Sequence, residues 1–139
     1  MKQKFFDLSV ETSGKGLVDV SAVVQSAVDE HEFGSGLMTL WCVHTGASFL
    51  VQANADDDVI ADINAFFEDL VPQKAGKYQH KPNDLDNAPS HLRALLTQTQ
   101  ISIPVESGYL PFGIVQSLYL FEHREEPKSR RIRCHFIGD

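Results

Sequence analysis

From residue 101 onward the chain is patterned almost wholly as strand, and this limits its fold more than any other feature. Ile101, Ile103 and Val105 recur at every second position, the spacing of a strand with one buried face. Glu106-Ser107-Gly108-Tyr109 reads as a turn and Gly113 to His123 as a long strand. Glu125-Glu126-Pro127-Lys128 reads as a polar turn, and Arg131 to Ile137 as a closing strand. Short turns between consecutive strands join them as antiparallel pairs.

The first hundred residues mix the two periods. Phe6, Leu8 and Val10 alternate with Asp7, Ser9 and Glu11, a half-buried strand, and Thr12 to Gly16 reads as a turn. Val20, Val23, Val24, Ala27, Val28 and His31 follow a helical stripe with Asp19 as N-cap and Gly34 as stop. Leu37 to Val43 is apolar on both sides, which predicts a central strand, and a short strand covers about Ser48 to Gln52. Asp56, Asp57 and Asp58 suit the positive end of a second helix. Its stripe is Val59, Ile60, Ile63, Phe66, Phe67 and Leu70, and Pro72 ends it. A polar loop runs from about Gln73 to Asp86. Asp86 or Asn87 then caps a third helix, with Pro89 in its first turn and Leu92, Leu95 and Leu96 inward. The order β-α-β-β-α-α-β-β-β predicts an α+β fold with a mainly antiparallel sheet and about three helices. At 139 residues and 42% hydrophobic, the chain suits a single domain over residues 1–139.

The formal net charge is −7. That argues against general nucleic-acid or anionic-membrane binding, which needs a basic face. A small anion held by one local Arg or Lys remains compatible. The longest apolar run falls far short of a membrane span. The N-terminus has no apolar core of a signal peptide, so the cytoplasm is the expected location. Cys42 and Cys134 lie in apolar strand-like segments and read as buried thiols in a reducing compartment. Cys42 with His44 is the only local Cys/His pair able to share one strand face.

Three histidines occupy the stretches that look most like chemistry: His44-Thr45-Gly46-Ala47-Ser48, Tyr78-Gln79-His80, and Asp86-Asn87-Ala88-Pro89-Ser90-His91. Small residues after His44 let a ligand approach the backbone, and the Thr45 and Ser48 hydroxyls can bind phosphate oxygens. The helix start at Asn87 offers free N–H groups to an anion. His80 sits in a long loop where packing demands no histidine. Three imidazoles from three segments would suit a zinc site with an open fourth position, although no HxxxH or CxxC spacing ties any two together. Each stretch also has a plain structural reading, as a strand-end turn, a loop or a capped helix. Gln116 and Glu122, at the two ends of an apolar stripe, could orient a histidine through its other ring nitrogen. Arg130 could bind phosphate bidentately or stand as a solvated turn cation. His31, His123 and His135 read as structural.

In this order, those stretches resemble the YjbQ-like family, often described as secondary thiamine-phosphate synthases. Asn54-Ala55-Asp56-Asp57-Asp58-Val59, Ile103-Pro104-Val105, Gly108-Tyr109-Leu110, Gly113-Ile114-Val115-Gln116 and Glu122-His123-Arg124 add to the resemblance, which covers nearly the whole chain. It implies an α+β domain, a homotrimer and a pocket near a subunit boundary. That pocket would gather His44, His80 and His91, with Gln116, Glu122 and Arg130 close by. Two departures stand out: Gln52-Ala53 replaces a usual Asn-Glu, and Val115 replaces a usual Trp.

The expected function is an enzyme acting on a small phosphorylated metabolite, with thiamine-phosphate synthesis as the specific case. His44, His80 and His91 would hold a divalent metal or act as acid and base. Imidazole ligands favour zinc over magnesium, whereas diphosphate departure normally wants magnesium on carboxylates. The alternatives are a non-catalytic metal- or metabolite-binding trimer and a metal-dependent hydrolase.

Overall fold

The computed structural model describes residues 1–54 and 56–139; Ala55, within one of the stretches quoted above, lies outside the described residues. Alternating strands and three helices give the elements β1 (Lys2–Thr12), β2 (Gly16–Asp19), α1 (Ser21–Glu30), β3 (Gly36–Cys42), β4 (Ala47–Ala53), α2 (Asp57–Leu70), α3 (Asn87–Leu96), β5 (Gln100–Val105), β6 (Gln116–Glu122) and β7 (Lys128–Gly138). Two antiparallel sheets result, one ordered β1-β7-β3-β5 and the other β2-β6-β4. The fold is α+β, as the periodicities predict.

The core lies between the sheets. Met38, Leu40, Cys42, Ile132, Cys134 and Phe136 from the first meet Phe49, Leu118 and Leu120 from the second. Val24 and Val28 of α1 join them. Both thiols are free and buried. β1 and β7 pair along their whole length, from Lys2 opposite Gly138 to Thr12 opposite Lys128. No helix among the described residues is long and apolar enough to cross a membrane.

The structure departs from the sequence reading in four places. The segment read as a turn before α1 extends into β2, because Gly16 to Asp19 finds an open edge of β6. Val20 then takes the N-cap position of α1, and the Asp19 carboxylate accepts from Ser21 N. β3 is central, between β7 and β5, but only one of its faces is covered, and Leu37 and Trp41 remain outward. The long C-terminal strand starts at Gln116, since Gly113 closes a turn by accepting from Gln116 N.

The fourth departure concerns the helices. In α3, Leu92, Leu95 and Leu96 face outward, and the buried positions are Ala88, Pro89, Ser90, Arg93 and Ala94. Small residues let this helix sit close to the sheet, and the buried Arg93 donates from Nη2 to Val71 O at 2.9 Å and from Nη1 to Glu68 at 3.4 Å. In α2 only Phe67 is fully buried, edge-on to Phe121, while Phe66 and Leu70 stay exposed. A hydrophobic stripe thus marks the face a helix can bury, not the face this chain does bury.

Candidate functional site

The connection β3–β4, the connection β6–β7 and the start of α3 meet at one end of the sheets. The pairing of β4 with β6 sets Ala47 opposite Glu122, and His123 N donates to Gly46 O at 3.0 Å. This brings His44 to Gly46, Glu122 to Arg124, Lys128 to Arg130 and Ser90-His91 to one place. Between them lies a cleft of about 310 Å³, lined by His44, Thr45, Gly46, Ser90, His91, Arg124, Lys128 and Arg130, with Val43 at its side. Among the described residues no carboxylate lines it.

Glu122 organises the cationic wall. It is fully buried and accepts from Arg130 Nε at 2.8 Å, Arg130 Nη2 at 2.6 Å, Thr12 Oγ1 at 2.7 Å and Arg124 N at 3.2 Å. Burial pushes its carboxyl up, but the hydrogen bonds from Arg130, Thr12 and Arg124 N outweigh this and hold it below the usual range. Arg130 is therefore not a turn cation: it lies on β7, buried, in a bidentate ion pair. These bonds and a 3.3 Å contact from Nη2 to Gly46 O leave its Nη1 over. Arg124 is fixed similarly, with Nε on Asp86 and Nη2 on Asp84, each at 3.1 Å. Asp86 takes the N-cap position of α3, as read from the sequence, but its carboxylate serves Arg124 and Glu125 N and makes no cap bond to the helix. A methyl group at Gly46 would lie 3.0 Å from Arg130 Nη2 and 3.2 Å from Arg124 Cγ, so a hydrogen there lets both arginines close on the cleft.

The three histidines differ in what they offer. His91 Nδ1 donates to Thr45 O at 3.3 Å, which leaves the Nε2 lone pair free. His80 Nε2 donates to Asn87 Oδ1 at 2.7 Å, which leaves Nδ1 free, and the two rings lie 5.5 Å apart. Asn87 thus positions His80. His44 is the reverse case. Its Nε2 accepts from Arg131 N at 2.8 Å, so its single lone pair is engaged and its proton sits on Nδ1. Partial burial, and next the Arg130 charge, pull its pKa down, so it is neutral at pH 7. Among the described residues no group of three His, Cys, Asp or Glu side chains is arranged to hold a metal ion. His80 and His91 are turned as metal-binding histidines are; His44 is not.

Two residues read as site members lie elsewhere. β6 rises about 3.3 Å per residue, which puts Gln116 roughly 20 Å from Glu122. There its carboxamide oxygen accepts from Gly113 N. Ala53 pairs with Gln116, and Asn54 N donates to Val115 O at 2.7 Å, so both departures from the family pattern fall at this far end. Ser48 is fully buried and bonds Thr97 Oγ1 and, at 2.8 Å, His123 Nε2, so it is no ligand contact in this chain.

Proton accounting settles the His123 tautomer. Thr97 Oγ1 donates to Arg93 O, so Ser48 donates to Thr97 and accepts from His123 Nε2–H. His123 Nδ1 and Arg93 Nε are buried without a partner among the described residues. Burial, then the positive charge of Arg93, pushes the His123 pKa down to about 3. Read from sequence as an ordinary strand position, His123 is a neutral buried histidine. Arg124 and Lys128 were missed as site residues. The signal for them was basic groups crowded around residues 122–131 of an acidic chain.

A family model described as UPF0047 protein YjbQ-like matches residues 6–139. The chain is 38% identical to the UPF0047 protein sll1880 of Synechocystis, over 95% of this chain and 90% of that one. It is 34% identical to the UPF0047 protein YjbQ of Escherichia coli O157:H7, over 99% and 98%. Among solved structures, an uncharacterized YjbQ/UPF0047-family protein of Clostridium acetobutylicum matches with a TM-score of 0.84 and 30% identity, over 95% of this chain and 99% of that one. A conserved hypothetical protein of Thermus thermophilus matches with a TM-score of 0.83 and 28% identity, over the same shares, 95% and 99%.

Proposed function

The chain belongs to the YjbQ-like UPF0047 family, and we propose that it binds a small phosphorylated metabolite in the cationic cleft and acts on it as an enzyme. One observation carries this reading: Arg124, Lys128 and Arg130 face a cleft that no carboxylate lines among the described residues. Glu122 holds Arg130, and Asp84 with Asp86 holds Arg124, so these two side chains lose little further freedom on binding an anion. His44 is a neutral donor through Nδ1. His91 donates from Nδ1 to Thr45 O, and its Nε2 is left to face the same cleft, placed for acid–base contact with a bound ester. Thiamine-phosphate synthesis is one reaction compatible with such a site. The buried free thiols suit a reducing cytoplasm.

The test is titration of inorganic phosphate into the protein and its Lys128→Ala variant. Among the described residues the Lys128 ammonium pairs only with Glu126, on the surface, so truncating its side chain leaves the fold intact. A charged hydrogen bond contributes about 1.5 kcal/mol or more, so the variant should bind phosphate about tenfold more weakly. Equal affinity would remove Lys128 from the site.

A second reading has its own observation. The free lone pairs of His80 and His91 and their oxygen-bound N–H groups match the outer-shell habit of metal-bound histidines. A divalent metal, zinc before magnesium, would be held there, with His44 joining only by giving up Arg131 N.

We further propose a homotrimer. Leu37 and Ile137 are cross-strand neighbours on the outward face of the four-stranded sheet, both exposed, with Phe5 exposed on the same face. Exposed apolar side chains gathered on one sheet face suit an association surface, and the family resemblance implies three copies. Light scattering should give three times the chain mass at micromolar concentration, and a stable monomer would overturn this.

A further inference from the structure

Two polar atoms deep under α3 have no partner among the described residues, Arg93 Nε and His123 Nδ1. The two residues are 3% and 1% exposed, so bulk solvent reaches neither. Both belong to one polar layer between α3 and the three-stranded sheet. His123 Nε2–H donates to Ser48 Oγ on β4, Ser48 donates to Thr97 at the end of α3, and Thr97 Oγ1 donates to Arg93 O. The charge of Arg93 acts on His123 more strongly than that of Arg130 or Lys15, which puts the guanidinium close to the ring. The two atoms are opposite in kind. Arg93 Nε carries a hydrogen and needs an acceptor. His123 Nδ1, in the tautomer that Ser48 fixes, carries a lone pair and needs a donor. Neither side chain is free to turn to the other. Arg93 is held through Nη2 on Val71 O and Nη1 on Glu68. The His123 ring is held by Ser48 and packs on Phe121, with centroids 4.4 Å apart.

We infer that a single buried water molecule is a built-in part of this fold, accepting from Arg93 Nε–H and donating to His123 Nδ1. Buried polar groups are nearly always partnered, and buried water characteristically joins those that the protein leaves over. Water brings an acceptor and a donor on one atom, which is what this pair lacks. A simple anion would bring no donor for Nδ1, and a metal cation no acceptor for Nε–H. The bridge ties α3 to the sheet beside the Ser48–Thr97 link. With Leu92, Leu95 and Leu96 turned outward, α3 depends on such links for its attachment. The same helix carries Ser90 and His91 to the cationic cleft and Asn87 to His80, so the bridge helps to fix the element that presents them.

Two measurements on the full chain test this. A high-resolution crystal structure should show one ordered water within roughly 2.7–3.2 Å of both Arg93 Nε and His123 Nδ1. In solution, the nitrogen resonances of His123 should show a proton on Nε2 and a hydrogen-bonded lone pair on Nδ1. Arg93→Lys keeps the charge but sets a methylene where Nε–H was. In that variant the water loses its donor, and the Nδ1 resonance should move toward that of an unbonded imidazole nitrogen. A direct bond from Arg93 Nε to His123 Nδ1, a protein partner for either atom, or a proton on Nδ1 would overturn the inference. So would an unbonded Nδ1 in the wild type, or an Nδ1 resonance unmoved in a folded Arg93→Lys. Should that variant fail to fold, the wild-type density and the wild-type resonances decide.

Discussion

Replacing Glu122 by Gln lowers the free energy of unfolding by about 3–5 kcal/mol, the cost of stripping one partner from a buried ion pair. The Arg130 guanidinium is itself buried and holds Glu122 through Nε and Nη2 at 2.8 and 2.6 Å. With the carboxylate gone it keeps its charge, away from water, opposite a neutral amide. The pair as a whole should contribute far less than this. Desolvation of two ions offsets most of their attraction, so Glu122→Leu with Arg130→Met should recover most of the loss. Urea unfolding of the three variants separates the terms. A loss below about 1 kcal/mol in Glu122→Gln would place the pair with solvent-screened surface bridges. For the same reason Arg130→Ala is a poor probe of phosphate binding, since it leaves Glu122 buried and unpaired.

Acidification should destabilise the protein before its carboxylates titrate. His123 has a folded pKa pushed down to about 3 against an ordinary value of 6.5. Below the ordinary value the unfolded chain takes up a proton that the native state refuses. Stability is therefore complete above about pH 6.5 and falls as the pH drops toward about 3. One proton corresponds to about 1.4 kcal/mol per pH unit, so the melting temperature should slide steadily across that window. The lowered carboxyls of Glu122, Asp86 and Glu68 lose their contribution as pH falls through their folded values, hence only toward the acid end. The lowered His44 adds to the same window, so in His123→Gln the decline between pH 6.5 and 4.5 should become shallower, leaving the His44 contribution. An unchanged slope in that variant would show that another group binds the proton.

Element types were legible because burial writes a period into the sequence. The alternation through Phe6, Leu8 and Val10, and again through Ile101, Ile103 and Val105, gave β1 and β5 directly. What period cannot carry is which apolar face one chain covers. Leu92, Leu95 and Leu96 look like a helix core stripe, yet face outward, because Ala88, Ser90 and Ala94 allow a closer approach. Gly16 to Asp19 carries too little pattern to announce a strand, and only the edge of β6 makes it one.

The candidate site was partly legible for a similar reason. His44, His91 and Arg130 line one cleft, and His80 lies beside His91. Gln116 and Ser48 do not belong. An alternating stripe says that Gln116 and Glu122 lie on one strand, not that they lie near one another. Ser48 sits on a strand whose start is roofed by α3, so its hydroxyl turns inward to Thr97 and His123. Whether Arg130 stood free or paired depended on register between distant strands, which sets Thr12 opposite Lys128 and Ala47 opposite Glu122.

The most direct test of the cationic cleft is calorimetric titration of inorganic phosphate into protein stripped with a chelator, with and without one equivalent of zinc restored. Arg124 and Arg130 are held in place by protein carboxylates, with Lys128 beside them at the cleft, so phosphate should bind the stripped protein and bind it equally well after zinc is returned. Phosphate binding that appears only on adding zinc would contradict this account and assign the site to a metal held by the histidines.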